Sequence, residues 1–233
     1  MKRDGIRITA VVASVGLLLL LIALGTIGRG AQQSNPQASA RTPDSKSVIP
    51  PVIPSVIPYF IAEGSKGAVG YRPGDRELAL WALQAWQRSA QSGLRFEPAS
   101  ESAALIRLYW AEPGGGEYGE TQPLLVNGKR GAAVFIRPDM ESLGPDIARR
   151  TREDDLLRES IVYLTCLHEF GHALGLDHTR NFADIMYFFG YGGDITAYFG
   201  RYRTQIHARS DIASASGLSD GDVKRIRSIY LRE

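Results

Sequence analysis

Apolar residues recur at helical spacing in three stretches of the chain, and each stretch predicts a helix with one face in a core. The first spans residues 73–93. The second begins at a Thr151-x-x-Asp154 capping box and continues past residue 168, and the third follows a Ser219-x-x-Asp222 box near the end of the chain. The apolar positions of the three are Leu78, Trp81, Ala82, Ala85 and Trp86, then Leu157, Ile161, Leu164, Leu167 and Leu174, then Val223, Ile226, Ile229 and Tyr230.

Shorter runs with alternating or β-branched character predict strands. Five such runs are present, at residues 59–62, 94–97, 104–110, 124–126 and 132–137. Asn127-Gly128 lies between the last two runs and is a turn signal for a tight hairpin. These elements predict one domain over residues 59–233.

The hydrophobic pattern before this domain is of another kind. Residues 8–28 are uncharged and mostly apolar, and Lys2, Arg3 and Arg7 precede them. A helix of that length is about 32 Å long, close to the thickness of the bilayer core. We therefore expect a transmembrane signal anchor, with residues 1–7 in the cytoplasm and the rest of the chain outside. A cleaved signal peptide, giving a secreted protein, and a buried helix are the alternatives.

Residues 29–58 are rich in Gln, Ser, Ala and Pro, and they contain Val-Ile-Pro three times, at residues 48–50, 52–54 and 56–58. Frequent proline blocks helix formation and favours an extended polyproline-type chain. The segment is interpreted as a linker between membrane and domain. A docking peptide for an aromatic groove is the alternative.

The composition and net charge of the chain exclude few classes of function. The 233 residues are 44% hydrophobic with a net charge of +2, which is enough for one sizeable core and gives no basis for a nucleic-acid partner. No obligate oligomer is predicted. The chain has one cysteine, Cys166, so it forms no intrachain disulfide. Cys166 is expected to face the core and to be inert.

The strongest chemical signal is His168-Glu-x-x-His172-x-x-Gly175-x-x-His178. Residues four apart share a helix face, so His168 and His172 can bind one metal ion. Gly175 permits a left-handed turn that returns His178 as a third ligand. Three imidazoles with an open fourth position are typical of catalytic zinc. Glu169 points about 100° away around the helix, which suits a base acting on a metal-activated water. A non-catalytic remnant of such a site is the alternative.

This stretch resembles the metzincin zinc peptidases, in which a methionine-containing turn lies beneath the metal. Met186 follows His178 by eight residues and is followed by Tyr187, which is similar to the matrixin (matrix metalloproteinase) branch. Other branches place a zinc-binding Tyr where this chain has Phe188. An ordinary core methionine is the alternative reading of Met186.

The resemblance implies an α+β, zincin-like catalytic domain with a twisted, mostly parallel sheet whose edge strand lies over the zinc-binding helix. It implies one catalytic zinc ion, and a substrate bound along that edge strand, with Leu124, Leu125, Val126 and Tyr187 as substrate-binding residues. Aromatic residues between Tyr187 and Ser216 would form a pocket wall. The chain is similar to prokaryotic-type members that lack the structural zinc and the cysteine-switch prodomain. No histidine precedes His168 to bind a structural zinc, and the one cysteine, Cys166, lies in the predicted active-site helix and not upstream of the domain. Calcium sites are possible but not assignable.

Together these features predict a membrane-anchored zinc endopeptidase. It would hydrolyse peptide bonds of extracytoplasmic proteins through a zinc-activated water, with Glu169 as the general base. The alternative function is a membrane-tethered, zinc-containing binding protein that has lost turnover. Intact Glu169 argues against that alternative, since a binding module needs no base.

Overall fold

The structure, a computed structural model, describes residues 56–64, 68–111 and 118–231. Within them five strands form one sheet in the order β2-β1-β3-β5-β4. Neighbours pair in parallel except β4, which lies at the edge antiparallel to β5 and confirms the expected mostly parallel sheet. The strands are β1 (Val56–Ile61), β2 (Arg95–Pro98), β3 (Ile106–Trp110), β4 (Gly119–Val126) and β5 (Lys129–Ile136).

Five α-helices accompany the sheet in the described residues, which makes the fold a mixed α/β one. They are α1 (Asp75–Ser89), α2 (Pro145–Glu153), α3 (Asp155–Ala173), α4 (Ile195–Arg203) and α5 (Asp220–Tyr230). α3 is the central element, since it packs against α1, α4, β4 and β5. Its buried face includes Ile161, Leu164 and Leu167, as the helical spacing predicts.

Two buried polar contacts fix α1 against α3. The indole N–H of Trp86 donates to the carbonyl of Leu167 at 2.9 Å, and both residues are fully buried. Nearer the start of both helices, the buried guanidinium of Arg158 forms a two-pronged ion pair with Asp75 and donates to the carbonyl of Gly70. Such a pair fixes the alignment of two helices because neither charge can remain buried without the other.

The start of α3 differs from the sequence prediction. Thr151 lies inside α2, where its hydroxyl donates back to the carbonyls of Ile147 and Ala148, so it caps nothing. Asp154 is the N-cap of α3, and its carboxylate accepts from the N–H of Leu157 at 3.0 Å. The prediction was wrong here because Ser and Thr hydroxyls can bond within a helix as well as cap one.

The first strand begins at Val56, so the predicted boundary between linker and domain at 58/59 moves three residues earlier. Pro58 is tolerated in this interior strand because the β1–β3 ladder only starts there. Its carbonyl accepts from Leu105 N–H at 2.8 Å, and the first paired residues are Tyr59 and Ile106. The missing N–H of Pro58 faces the chain before β3, where no ladder bond is lost.

The N-terminal predictions concern residues that the structure does not describe. The anchor at 8–28, the cytoplasmic residues 1–7 and most of the linker at 29–58 all lie outside the described part of the chain. Within the described part, no helix has both the length and the apolar character needed to cross a membrane.

Candidate metal centre

Three imidazoles meet at the C-terminal end of α3. Their ligand atoms all lie within 4.8 Å of one another, and Nε2 of His172 is 3.1 Å from Nε2 of His178. Two nitrogen ligands of a tetrahedral zinc ion are about 3.3 Å apart, given Zn–N bonds of about 2.0 Å. The donor set and its spacing therefore fit zinc, and the structure brings together His168, His172 and His178 as predicted. No other such cluster occurs in the described residues, so calcium gains no support.

A helix-terminating turn returns His178 to its two partners. Gly175 has a φ of +92°, and the N–H of Leu176 donates to Gly171 O at 2.9 Å while that of Gly175 donates to His172 O at 3.0 Å. This pair of bonds is a Schellman motif, in which glycine supplies the left-handed residue without a Cβ penalty. The turn expected at Gly175 is confirmed.

Backbone carbonyls orient two of the imidazoles. Nδ1 of His168 lies 2.7 Å from Ile185 O, and Nδ1 of His172 lies 2.8 Å from Leu176 O. A carbonyl can only accept, so each Nδ1 carries the hydrogen and each Nε2 keeps its lone pair for a metal. The third ring, His178, stacks on Phe188 with centroids 4.6 Å apart and planes inclined by 20°.

Burial keeps His168 neutral. Loss of solvent, against the bond to Ile185 O and with smaller contributions from the nearby His172 and His178, lowers the pKa of His168 to about 4. Only the neutral imidazole can bind a metal, so at neutral pH His168 has no proton to lose before it binds. Burial shifts the pKa of Cys166 in the other direction, because it raises the pKa of the thiol well above the usual range. The expected inward-facing position of Cys166 is confirmed, and its raised pKa agrees with the prediction that the thiol is inert.

The carboxyl group of Glu169 lies against β4. Its side chain is 6% exposed, and Oε2 accepts from the Thr121 hydroxyl at 2.7 Å. Gly119 lies over the same carboxyl group, where a Cβ would fall 2.7 Å from Oε1. Glu169 is not one of the three residues of the metal-binding cluster, in agreement with its 100° offset on the helix.

Met186 lies directly beneath the end of α3. It is fully buried, and a Cβ on Gly171 would come within 2.3 Å of its sulfur. Gly171 is one of the unspecified positions of the histidine motif, and here it provides the space in which Met186 fits. The same turn supplies the Ile185 carbonyl that orients His168, so the turn supports the site in two ways.

Two buried carboxylates hold this turn. Asp184 accepts from the hydroxyls of Ser219 at 2.6 Å and Thr179 at 2.9 Å, and Asp222 accepts from Ile185 N–H at 2.8 Å. Burial alone would raise the pKa of Asp184, but these hydroxyls and Arg225 lower it below its usual value. Sequence reasoning found the capping role of Ser219 and Asp222, which is confirmed, but missed their reach to the Met186 turn.

The predicted substrate-binding residues are not brought together as one surface. Leu125 is 71% exposed and Val126 only 6%, while Leu124 lines a groove of about 1060 Å³ that runs from β4 to His172. Tyr187 is 7% exposed, and its hydroxyl donates to Gly192 O at 2.8 Å. Several aromatic residues expected in the pocket wall belong to the core instead, namely Tyr198, Phe199 and Tyr202.

A helix with two metal-binding histidines and a buried glutamate, below an edge strand and above a methionine turn, indicates a metallopeptidase of the metzincin class. Comparison with protein families agrees. The Matrixin (Peptidase_M10) family model matches residues 72–193, a little over half of the chain. The chain therefore belongs to the matrixin family. A comparison with curated proteins gives no match.

Proposed function

We propose that the protein is a zinc-dependent endopeptidase. The observation that supports this most strongly is the combination of three converging imidazoles with a buried Glu169 on the same helix, whose carboxyl group accepts from Thr121 of β4. His168 and His172 present their Nε2 atoms because their Nδ1 atoms are bound to carbonyls, and His178 completes the set. Three nitrogen ligands leave the fourth tetrahedral position open, which a structural zinc site would not do.

Zinc in this site would act as a Lewis acid that brings the pKa of a bound water towards 7 and polarises the scissile carbonyl. Glu169 would take one proton from the attacking water. It would then pass that proton to the departing amine, so that one carboxylate serves as base and as acid. No nucleophilic side chain is required, in keeping with the buried and inert Cys166.

The edge strand β4 suits an extended peptide substrate. Tyr118 O accepts from Arg137 N–H at 2.9 Å, so the even-numbered residues that follow turn their main chain towards β5. Thr121, Pro123 and Leu125 consequently present theirs to the open edge. A substrate strand could pair there by strand addition, except opposite the nitrogen of Pro123, which has no hydrogen to donate.

The substrates we propose are extracytoplasmic proteins, because residues 8–28 have the length of a membrane anchor and the positive charge precedes them. Release by signal cleavage would place the same domain outside the cell without an anchor. Sequencing the N-terminus of the mature protein distinguishes these two cases.

Replacing Glu169 tests the proposed function. The full-length protein should bind one zinc ion and cleave internal bonds of a peptide library. Glu169→Ala should keep the zinc and lose at least about a hundredfold in kcat/KM. Glu153→Ala, a change of the same kind on the exposed face of α2, is the control and should leave both unchanged. Zinc binding without turnover in the unaltered protein would instead support a tethered binding protein.

A further inference from the structure

Strand β4 touches Glu169 at two alternate residues, Gly119 and Thr121. Alternate residues of a strand face the same side of the sheet, so both face α3. They lie 50 and 48 positions before Glu169 in the chain, and neither belongs to the histidine motif. The contact therefore comes from tertiary packing of the edge strand on the helix.

Gly119 brings the strand close to the carboxyl group. Any Cβ at this position would be 2.7 Å from Glu169 Oε1 and 2.8 Å from a methyl carbon of Thr165. Both distances are shorter than nonbonded carbon contacts allow, so a side chain here would displace the strand or the carboxylate. The glycine allows Thr121, two residues later, to reach Oε2.

The Thr121 hydroxyl has a choice of two acceptors on the same residue. Its oxygen lies 2.7 Å from Oε2 of Glu169 and 3.0 Å from the Glu169 carbonyl oxygen. The single hydroxyl hydrogen favours the carboxyl group, because that acceptor is closer. Oε2 is then held by β4, and the orientation of the carboxyl plane is fixed about a torsion that is otherwise broad.

We propose that Thr121 is a positioning residue for the catalytic base. By binding Oε2, it would fix the plane of the carboxyl group and leave Oε1, which lies beside Gly119, to take the proton, so that the base does not have to be reoriented in each turnover. This inference rests on the proposed function, because it concerns the same carboxylate. It adds a residue of the edge strand to the acid–base machinery, on the strand that would also bind substrate.

A purely structural role for Thr121 predicts other effects. If the bond only attached β4 to α3, its loss would lower stability and weaken substrate binding along the edge, which would raise KM. A positioning role predicts a lower kcat at nearly constant KM, since the ground-state contacts of the substrate are unchanged.

Two substitutions at one site separate these possibilities. Thr121→Val removes the hydroxyl and keeps the shape, while Thr121→Ser keeps the hydroxyl. In the full-length protein we expect Thr121→Val to lower kcat about tenfold with KM within about twofold, and Thr121→Ser to restore most of the loss. Zinc content should remain one per chain in both variants.

A double-mutant cycle with Glu169→Ala sharpens the test, because Thr121→Val should have no further effect on kcat once the carboxylate is gone. An unchanged kcat in Thr121→Val, or a serine variant as impaired as the valine one, would overturn the positioning role while leaving the peptidase assignment intact. If the unaltered protein turned over no faster than Glu169→Ala, the proposed function and this inference would fail together.

Discussion

The floor and the rim of the candidate active site are built in different ways. The floor comprises α3 from His168, the turn through Gly175 to His178, and the Met186 turn. Its groups are fixed by local spacing and by buried carboxylates below. The rim is the edge strand β4, which reaches the site through Gly119 and Thr121 and otherwise keeps one side open. The floor provides three imidazoles that could bind a metal, and the rim contacts the carboxylate that we propose as the base.

The residues that support the floor extend beyond the range that the Matrixin family model matches. The matched range ends at residue 193, whereas Ser219, Asp222 and Arg225 belong to the start of α5 and its cap. Their contacts with Asp184 and Ile185 connect α5 to the carbonyl that orients His168. The last helix therefore acts on the metal site through two successive hydrogen bonds.

The largest effect should come from removing this support. Asp222 is fully buried and accepts from the N–H groups of Ile185 and Ser219 and from the guanidinium of Arg225. Asp222→Asn would direct an amide N–H₂ at groups that are donors, and would remove a charge partner of Arg225. We expect a loss of about 3 kcal/mol in the free energy of unfolding, measured by urea denaturation.

Asp220→Asn is the matched control, since Asp220 begins the same helix but is exposed. It should change the unfolding free energy by no more than about 0.5 kcal/mol. Equal losses in the two variants would mean that α5 stabilises the protein through its helix terminus and not through its contact with the Met186 turn.

A smaller effect is expected at the third histidine, where the floor meets the segment after Met186. Phe188→Ala removes the ring that stacks on His178, so His178 would gain rotational freedom that must be lost again when a metal binds. We expect zinc affinity to fall about tenfold in competition with a chelator.

Tyr191→Ala is the control, because Tyr191 touches the edge of Phe188 and is 46% exposed. If both variants bound zinc as tightly as the unaltered protein, the stacking of Phe188 on His178 would not contribute to zinc affinity.

The floor could be predicted from the sequence because its chemistry is local. Ligands four residues apart on a helix, a glycine after the helix and a methionine eight residues beyond the last histidine are all visible in one stretch. Gly175 at φ +92° and the fully buried Met186 agree with that prediction. The Asn127-Gly128 turn was predictable for the same reason, since a two-residue hairpin requires residues that accept positive φ.

The rest depended on contacts between distant residues. Nothing near Thr121 indicates that its hydroxyl meets Glu169, which lies 48 positions away. Likewise, Tyr198, Phe199 and Tyr202 were expected in a pocket wall because their segment is rich in aromatic residues, but they are buried in the core. Composition shows that a segment is aromatic, whereas only the packing decides which rings face inward.

The smallest effect concerns the hairpin that sets the register of the rim. Gly128 has a φ of +77° with no atom within 4 Å of the place a Cβ would occupy, so Gly128→Ala introduces backbone strain alone. We expect a loss of about 1 kcal/mol. Gly200→Ala, inside α4, also meets no atom within 4 Å but has ordinary helical φ, so it should stabilise by up to about 1 kcal/mol. In urea denaturation, the same Gly→Ala change should therefore lower the free energy of unfolding at position 128 and raise it at position 200. If both variants had a lower free energy of unfolding than the unaltered protein, the added methyl group would be clashing with its surroundings, and the loss at Gly128 could not be assigned to backbone strain. If Gly128→Ala also slows cleavage while zinc affinity stays constant, then the register of β4 affects turnover independently of the metal-binding floor.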